Sequence, residues 1–402
     1  MKRLKAYSFR LEPTQEQESL LRQYVGSCRF VYNRVLNLVE ERHQASLPFP
    51  GYVALAGNLP AWKKDPKTEW LKNTPSQSLQ VSVKNATNAF VRFFKKQADH
   101  PVFHKKDTND TVTFPDKKAV RVDETRSRIS LPKLGEIRYR KSQALDGEVR
   151  QATIRFSCGK WYVSILTCRD VNPVPSKGEL LGIDLGVSRF AAFSSGESDG
   201  IVAPDLAKRF EERLKQLHQS VSRKVKGSNN RAKAKAKLGR FYQKIKNVRM
   251  DFLHKATTAI SKNHAVVVVE DLKVQNMTAS GKGKNGLNKA ILSLGWGEFR
   301  RQLDYKLAWN GGQLLAVSPA YTSQTCPVET CGHVSPDNRK NQETFSCVKC
   351  GFTANADYVG ALNVQRAGHA RLACSPSKEG ASQSWGSTAE PCGVAGTILV
   401  LA

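Results

Sequence analysis

The chain has 402 residues, 40% of them hydrophobic, and its 63 Lys and Arg against 35 Asp and Glu give a formal net charge of +28. Such a length holds two or three domains with cores of their own, and such an excess draws polyanions, nucleic acid first and an anionic membrane surface second. The membrane finds no support: Met1–Tyr24 lacks an apolar core flanked by a cleavage site, no stretch is long and apolar enough to span a bilayer, and there is no lipidation motif or basic amphipathic N-terminus.

In Met1–Leu11, Leu4, Tyr7 and Phe9 are interleaved with charges, which predicts a short strand. Thr14-Gln15-Glu16-Gln17 has the form of a capping box. Leu21, Tyr24, Val25, Cys28, Val31, Val35 and Leu38 then recur at helical spacing, on a helix that also carries Arg22, Arg29, Arg34 and Arg42. A second helix is predicted over Pro75–Lys96, with Leu79, Val83, Ala86, Phe90, Phe93 and Phe94 on its apolar face, and Leu47–Thr74 between the two reads as irregular. Residues 12–100 therefore form a small helical module whose apolar residues are core and whose arginines are candidate contacts. From 101 to 178 the period becomes two. Val112–Phe114, Arg128–Leu131, Glu136–Tyr139, Ala152–Ser157 and Trp161–Cys168 predict strands, the last two joined by a two-residue turn at Gly159-Lys160. This is an antiparallel, barrel-like β module with basic loops, and Val171–Lys177 after it reads as a linker.

The third region opens on Leu180-Leu181-Gly182-Ile183-Asp184-Leu185-Gly186-Val187, an apolar strand that carries one carboxylate and turns on a glycine. A charge in such a strand is costly unless it is paired or binds a metal. Arg189–Ser194 is its predicted hairpin partner. Lys208–Lys255 predicts two helices joined at Gly227–Asn230, with sixteen Lys and Arg against three acids, Glu211, Glu212 and Asp251. A charge run is usually a solvated face, but one this unbalanced repels itself unless a polyanion lies beside it, so Lys233, Lys235, Lys237 and Arg240 are candidate nucleic-acid contacts. His264–Val269 is almost wholly apolar, as in a parallel sheet buried on both faces, and ends in Glu270. Asp271 beside it is expected on the other side of the pleat. Met277–Asn288 predicts a mobile loop, Gly295–Trp309 an amphipathic helix using Trp296, Phe299, Leu303 and Leu307, and Leu314–Val317 a further buried strand.

Four of the nine cysteines cluster, at Cys326, Cys331, Cys347 and Cys350, while Cys28, Cys158, Cys168, Cys374 and Cys392 are scattered. Two close pairs fifteen residues apart suit tetrahedral Zn²⁺, each pair biting the ion from one knuckle, and Gly332 and Gly351 fit the tight turns. Four thiolates leave no position for a reacting water, so this zinc is structural. The layout suits a reducing cytoplasm rather than a disulfide framework. Asn355–Val364 then predicts a helix with Asp357 in its first turn, where the dipole alone would favour a carboxylate.

Asp184 alone could be a satisfied carboxylate at a strand end. Glu270 changes the weighing, because it closes a buried strand at the end where ligands gather in α/β sheets. Asp184, Glu270 and Asp357, converging on one spot, would not all stay ionised without a cation. Two Mg²⁺ ions about 3.5–4 Å apart would satisfy them and clamp the attacking and leaving oxygens of a phosphodiester, the logic of RNase H-like nucleases. Gly-Ile-Asp-Leu-Gly also opens the phosphate hairpin of actin-like kinases and ATPases, but the second Gly-rich phosphate loop those need is missing from this chain.

In this order, these residues resemble TnpB, the OrfB-type protein of bacterial insertion sequences. The resemblance rests on Pro13-Thr14 with Gln17, Arg29-Phe30-Val31-Tyr32-Asn33, Gly182-Ile183-Asp184-Leu185-Gly186 and Val268-Val269-Glu270-Asp271-Leu272. It continues through Gly295-Trp296-Gly297-Glu298-Phe299, Ser323-Gln324-Thr325-Cys326, the four cysteines, Ala356-Asp357 and Asn363, and spans about residues 1–366. It implies an RNA-guided DNA endonuclease with a RuvC-like site, related to type V CRISPR effectors. The implied fold is α/β plus β: a wedge β-barrel (1–11 and 101–178) with an inserted helical recognition module (12–100), then a RuvC-like, RNase H-like nuclease domain (179–323 and 352–367) carrying a zinc ribbon (324–351). Residues 368–402 match nothing and read as a disordered tail. The implied partners are a guide RNA derived from the element and double-stranded DNA with a short adjacent motif, in the bacterial cytoplasm at the nucleoid. Two departures stand out: four residues in the first knuckle where two are usual, which would loosen it, and Val359-Gly360 where an Asn-Ala pair is common. Two rival functions keep the same acids: a catalytically silent RNA-guided DNA-binding regulator, and an RNase H-like strand-transfer transposase.

Overall fold

The computed structural model describes residues 2–106, 108, 110–172, 178–279 and 285–373. They fall into two compact units divided between Val171 and Asn172. Among the described residues no helix is long and apolar enough to cross a membrane.

In the first unit, strand β1 (Lys2–Glu12) leads into the 30-residue helix α1 (Gln15–Gln44). Both bonds of the capping box form: Thr14 Oγ1 accepts from the Gln17 N–H at 3.3 Å, and Gln17 Oε1 accepts from the Thr14 N–H at 3.1 Å. The stretch that reads as irregular contains α2 (Tyr52–Ala56), α3 (Leu59–Lys64) and a 3₁₀ turn at Glu69–Asn73. Each is shorter than two turns, too short to display a period, and each is anchored by a single buried leucine: Leu55, Leu59 and Leu71. Helix α4 (Ser76–Phe94) buries Leu79, Val83, Ala86 and Phe90 as its spacing predicts.

Strands β2 (Thr111–Phe114), β3 (Arg121–Asp123), β4 (Arg128–Leu131), β5 (Gly135–Arg140), β6 (Glu148–Ser157) and β7 (Lys160–Asp170) join β1 in an antiparallel sheet of order β2-β6-β7-β1-β5-β4-β3. It is a half-barrel with β2 and β3 at its two ends rather than a closed barrel. Sheet residues such as Phe9, Ile129, Ile137 and Val163 share one continuous core with Leu21, Val31, Leu79 and Val83 of the helices. The helices thus cover the apolar face that a closed barrel would turn on itself. The β6–β7 register pairs Ser157 with Lys160, so the turn is Cys158-Gly159, one residue earlier than the sequence predicts. Their φ angles of +50° and +78° are the left-handed pair of a type I′ turn. Cysteine rarely takes that conformation, which is why the turn is misplaced by sequence alone.

In the second unit, β8 (Leu181–Asp184), β9 (Ala191–Phe193), β10 (Gly200–Ile201), β11 (Val266–Glu270) and β12 (Gln313–Val317) form a sheet of order β10-β9-β8-β11-β12. The first three strands are antiparallel, while β11 joins β8, and β12 joins β11, in parallel. Helices α5 (Leu206–Ser222) and α6 (Asn229–Asn263) connect β10 to β11. Helices α7 (Val274–Thr278), α8 (Asn285–Leu294) and α9 (Trp296–Trp309) connect β11 to β12. A small hairpin, β13 (Thr344–Ser346) with β14 (Thr353–Asn355), precedes α10 (Ala356–Ala373).

Strand alternation divides this sheet. Leu181, Ile183, Val267 and Val269 face Leu253 and Ile260 of α6 and Phe299, Leu303 and Leu307 of α9. Gly182 and Val268 face α10 on the other side. Gly182 is needed there, because a Cβ would run into the carbonyl oxygen of Ala361. Helix occupies both ends of the 277–288 stretch expected to be a mobile loop, and residues 280–284 lie outside the described residues. Helix α10 runs on to Ala373, six residues into the expected tail. The rest of that tail, with Cys374 and Cys392, and linker residues 173–177 lie outside the described residues.

Candidate active site

Asp184 ends β8 and Glu270 ends β11. The register that pairs Ile183 with Val269 puts these acids level with each other, on the face that α10 covers. Asp357 arrives from the first turn of α10, which Asn355 caps: its Oδ1 accepts from the N–H groups of Asp357 at 3.0 Å and Tyr358 at 3.3 Å. One turn further on, α10 passes so close to β8 that a Cβ on Gly360 would lie 2.7 Å from Asp184 Oδ2.

Asp184 feels both of the other acids. Burial pushes the Asp184 carboxyl up to about 7, the charges of Glu270 and Asp357 push the same way, and the Arg339 guanidinium and the Leu185 N–H pull it back. Glu270, only 8% exposed, is also raised by burial and is opposed by the Thr322 hydroxyl, which donates to its Oε1 at 2.6 Å. Asp271 turns the other way, as pleat alternation predicts. It is exposed and ion-paired with Arg300 at 2.5 Å, which holds its carboxyl below the usual range.

Three further side chains belong to this site. Thr322 grips Glu270, and Asn363 of α10 grips the backbone around Thr322, its Nδ2 donating to Thr322 O at 2.8 Å and Thr325 O at 2.7 Å. Arg339, from the loop between the two cysteine pairs, is the cation whose charge bears on Asp184. Neither Thr322 nor Arg339 stands out in the sequence, because neither takes part in a period or a ligand spacing. Asn363 is marked there only through resemblance.

The cysteines form a second cluster. The Sγ atoms of Cys326, Cys331, Cys347 and Cys350 all lie within 4.8 Å of one another. Cys326 to Cys350 is 3.6 Å and Cys331 to Cys347 is 3.7 Å. A zinc tetrahedron with Zn–S of about 2.3 Å has edges of about 3.8 Å, so the set is compatible with Zn²⁺. The two additional residues of the first knuckle are taken up in a turn at Val328, whose carbonyl accepts from Cys331 and Gly332, and the sulfurs still converge. Buried Asn338 binds the ribbon together through Gln324 O, His333 O and the Val348 N–H. Burial pushes the Cys326 thiol up to about 12, whereas at Cys347 the Cys350 and Lys349 N–H groups outweigh burial and bring it down to about 7.

Lys233, Lys235, Lys237 and Arg240 are all exposed on α6, with Ala234 buried among them.

Residues 163–281 match the OrfB family of IS605-type elements, described as "Probable transposase", and residues 296–364 match the "Cas12f1-like, TNB domain". Residues 1–47 match the OrfB "Helix-turn-helix domain", although in this structure they hold one strand and one long helix. The chain is 46% identical over 387 residues to "Putative RNA-guided DNA endonuclease InsQ" of Escherichia coli (strain K12), covering 93% of this chain and 94% of that one. It is 32% identical over 382 residues to a Streptomyces pristinaespiralis protein of the same descriptive name, covering 92% and 90%. Among solved structures, the "mini-RNA-guided endonuclease CRISPR-Cas phi3" aligns with a TM-score of 0.48 and 12% identity over 91% of this chain and 92% of that chain.

Proposed function

Because the chain belongs to the OrfB family of insertion-sequence proteins, that of TnpB, we propose that it is an RNA-guided DNA endonuclease of a transposable element, cutting target DNA by metal-dependent phosphodiester hydrolysis. The observation that carries the catalytic part is the setting of Asp184, held near neutrality by burial and by the charges of Glu270 and Asp357. Acids kept together against their own repulsion are a site for a cation. The order β10-β9-β8-β11-β12, with three antiparallel strands extended by two parallel ones, supports the RNase H-like, RuvC-like reading of the second unit.

The donor set fits Mg²⁺, a hard ion that takes oxygen ligands. Asp184, Glu270 and Asp357 would hold it. When bound, such ions stabilise the attacking and leaving oxygens of the phosphodiester. The protein's own part is to aim three carboxylates from two strand ends and one helix start at the same place. Arg339 adds a positive charge beside the acids, which suits an anionic backbone. The four cysteines would hold one structural Zn²⁺. The first unit would act as the wedge with its helical recognition module, reading the motif beside the target. The net charge of +28 and the exposed Lys233, Lys235, Lys237 and Arg240 suit guide RNA and DNA.

The test is cleavage of a DNA matched to the RNA that copurifies with the protein, run beside a binding assay. Asp184→Ala should lower cleavage on the order of 10⁴-fold and leave RNA and target binding intact. An Asp184→Ala protein that still cuts would remove the metal-site reading. A wild type that binds guided targets and never cuts would make the protein a silent regulator.

A further inference from the structure

We propose that Thr322 is a positioning residue for Glu270, and that Asn363 sets it, so that helix α10 places two of the three acids at once. The inference rests on the reading of Asp184, Glu270 and Asp357 as a divalent-metal site.

Thr322, Glu270 and Asn363 are each 7–8% exposed, so their polar atoms depend on one another rather than on water. The Thr322 hydroxyl has one proton and two acceptors in reach, Glu270 Oε1 at 2.6 Å and Pro319 O at 3.0 Å. With Glu270 ionised the proton goes to the carboxylate, because the shorter, charge-assisted bond is the stronger. That bond occupies Oε1, fixes the plane of the carboxylate, and leaves Oε2 as the oxygen offered to a cation. A hydroxyl cannot hold an oxygen in place unless its own backbone is held. Asn363 does this, with both Nδ2 protons on the carbonyls of Thr322 and Thr325. Its Oδ1 is buried and has no hydrogen-bond partner among the described residues. The amide acts through its Nδ2 end, which holds the 322–325 turn. Asn363 lies on the helix that starts with Asp357. Asp357 is thus set directly by α10, and Glu270 is set by it through Asn363 and Thr322.

The role differs from simple packing in what it predicts about metal. A group that orients a ligand changes metal affinity when removed, typically about 10–100-fold, whereas a packing role changes stability alone. The experiment titrates Mn²⁺ into zinc-replete, full-length protein by calorimetry and, separately, measures guided cleavage against Mg²⁺ concentration. Thr322→Val keeps the shape and removes the hydroxyl. It should weaken Mn²⁺ binding and raise the Mg²⁺ half-saturation point by about tenfold or more, with the rate at saturating metal recovering towards wild type. Thr322→Ser should restore both. Should the valine variant not fold, Thr322→Ala is read in the same way. A Thr322→Val protein with a lower melting temperature but wild-type metal affinity and half-saturation overturns the proposal. Asp184→Ala in the same titration separates the two levels. If it loses tight Mn²⁺ binding while Thr322→Val does not, only the role of Thr322 fails. If it binds Mn²⁺ like wild type, the metal-site reading fails and the inference with it.

Discussion

The second unit contains two clusters of side chains of the kinds that can ligate metals, built on opposite plans. The four cysteines come from 25 consecutive residues, and their sulfurs gather within 4.8 Å of one another. The three acids come from positions 184, 270 and 357 and meet only through sheet register and helix packing. One cluster is closed and locally encoded, with the ribbon bonded through Asn338. The other is assembled from distant parts of the chain, and burial first, then the charges of Glu270 and Asp357, oppose the ionised form of Asp184. A closed set has no position left for a reacting group, and an open, repelling set has charge to spare for one. The difference separates a site that stabilises the fold from one that the fold holds under strain.

The comparison can be tested from its stable side first, where the effect is largest. Replacing one sulfur, Cys347→Ser, should release the metal and unfold the 326–350 ribbon, because structural zinc supplies on the order of 10 kcal/mol to small units of this kind and a two-stranded hairpin is marginal alone. Metal analysis should find one zinc fewer, and amide exchange across the ribbon should become fast. Native exchange in the variant would mean that Asn338 and the β13–β14 pair suffice, and that the cysteines are not what closes the ribbon.

The acid side should respond with the opposite sign. The carboxyl of folded Asp184 titrates at about 7, above its unfolded value, so the folded state binds the proton more tightly. Metal-free protein therefore loses stability as pH rises from about 4 to about 7, and above that it carries the full cost of the buried charge. Asp184→Asn removes the charge and keeps the shape. It should stabilise metal-free protein at pH 8, by at most on the order of 4 kcal/mol, and by only about a third as much at pH 5. Paired melting curves at the two pH values measure this. An asparagine variant that is less stable than wild type at pH 8 would mean that the acids are a settled structural network. The same curves with Asp271→Ala should show no such gain, since Asp271 is exposed and already paired with Arg300.

How much of this is legible in the sequence follows from where each feature is encoded. Long amphipathic elements such as α1, α4 and α9 declare themselves by period, and β11 by its apolar run between polar ends. The cysteine cluster is legible because both knuckles are short-range. Glu270 could be singled out because a carboxylate closing a buried strand is conspicuous, and Asp357 only in company with Asp184 and Glu270, since the helix dipole alone accounts for a carboxylate in a first turn. Helices α2 and α3 are too short to carry a period, and the left-handed Cys158 hides the β6–β7 turn. Thr322 and Arg339 are reached only through tertiary structure: one by a hydroxyl 52 residues from Glu270, the other by a charge carried on the ribbon. Spacing along the chain holds no trace of either.

The smallest expected effect is also the finest probe of the open cluster. Val359-Gly360 stands where the family resemblance leads one to expect Asn-Ala, and Gly360 is the point at which α10 touches Asp184. The φ angle at Gly360 is ordinary for a helix, so alanine costs nothing in backbone strain and gains slightly in helix propensity. Its Cβ, however, would lie 2.7 Å from Asp184 Oδ2 and 3.1 Å from Asp184 Cγ. The carboxylate is the free end of a short side chain and can rotate away, so Gly360→Ala should fold and melt within about 1 kcal/mol of wild type. The rotation shifts one oxygen of the open set by a few tenths of an ångström. Guided cleavage at limiting Mg²⁺ should therefore change severalfold, while the zinc content of the ribbon and the binding of RNA stay as they were. A matching Cys347 neighbour, Val348→Ala, is exposed and should change none of these. If Gly360→Ala cleaves like wild type at every Mg²⁺ concentration, Asp184 has more room than its packing against α10 implies, and the acids are held less tightly than the comparison requires.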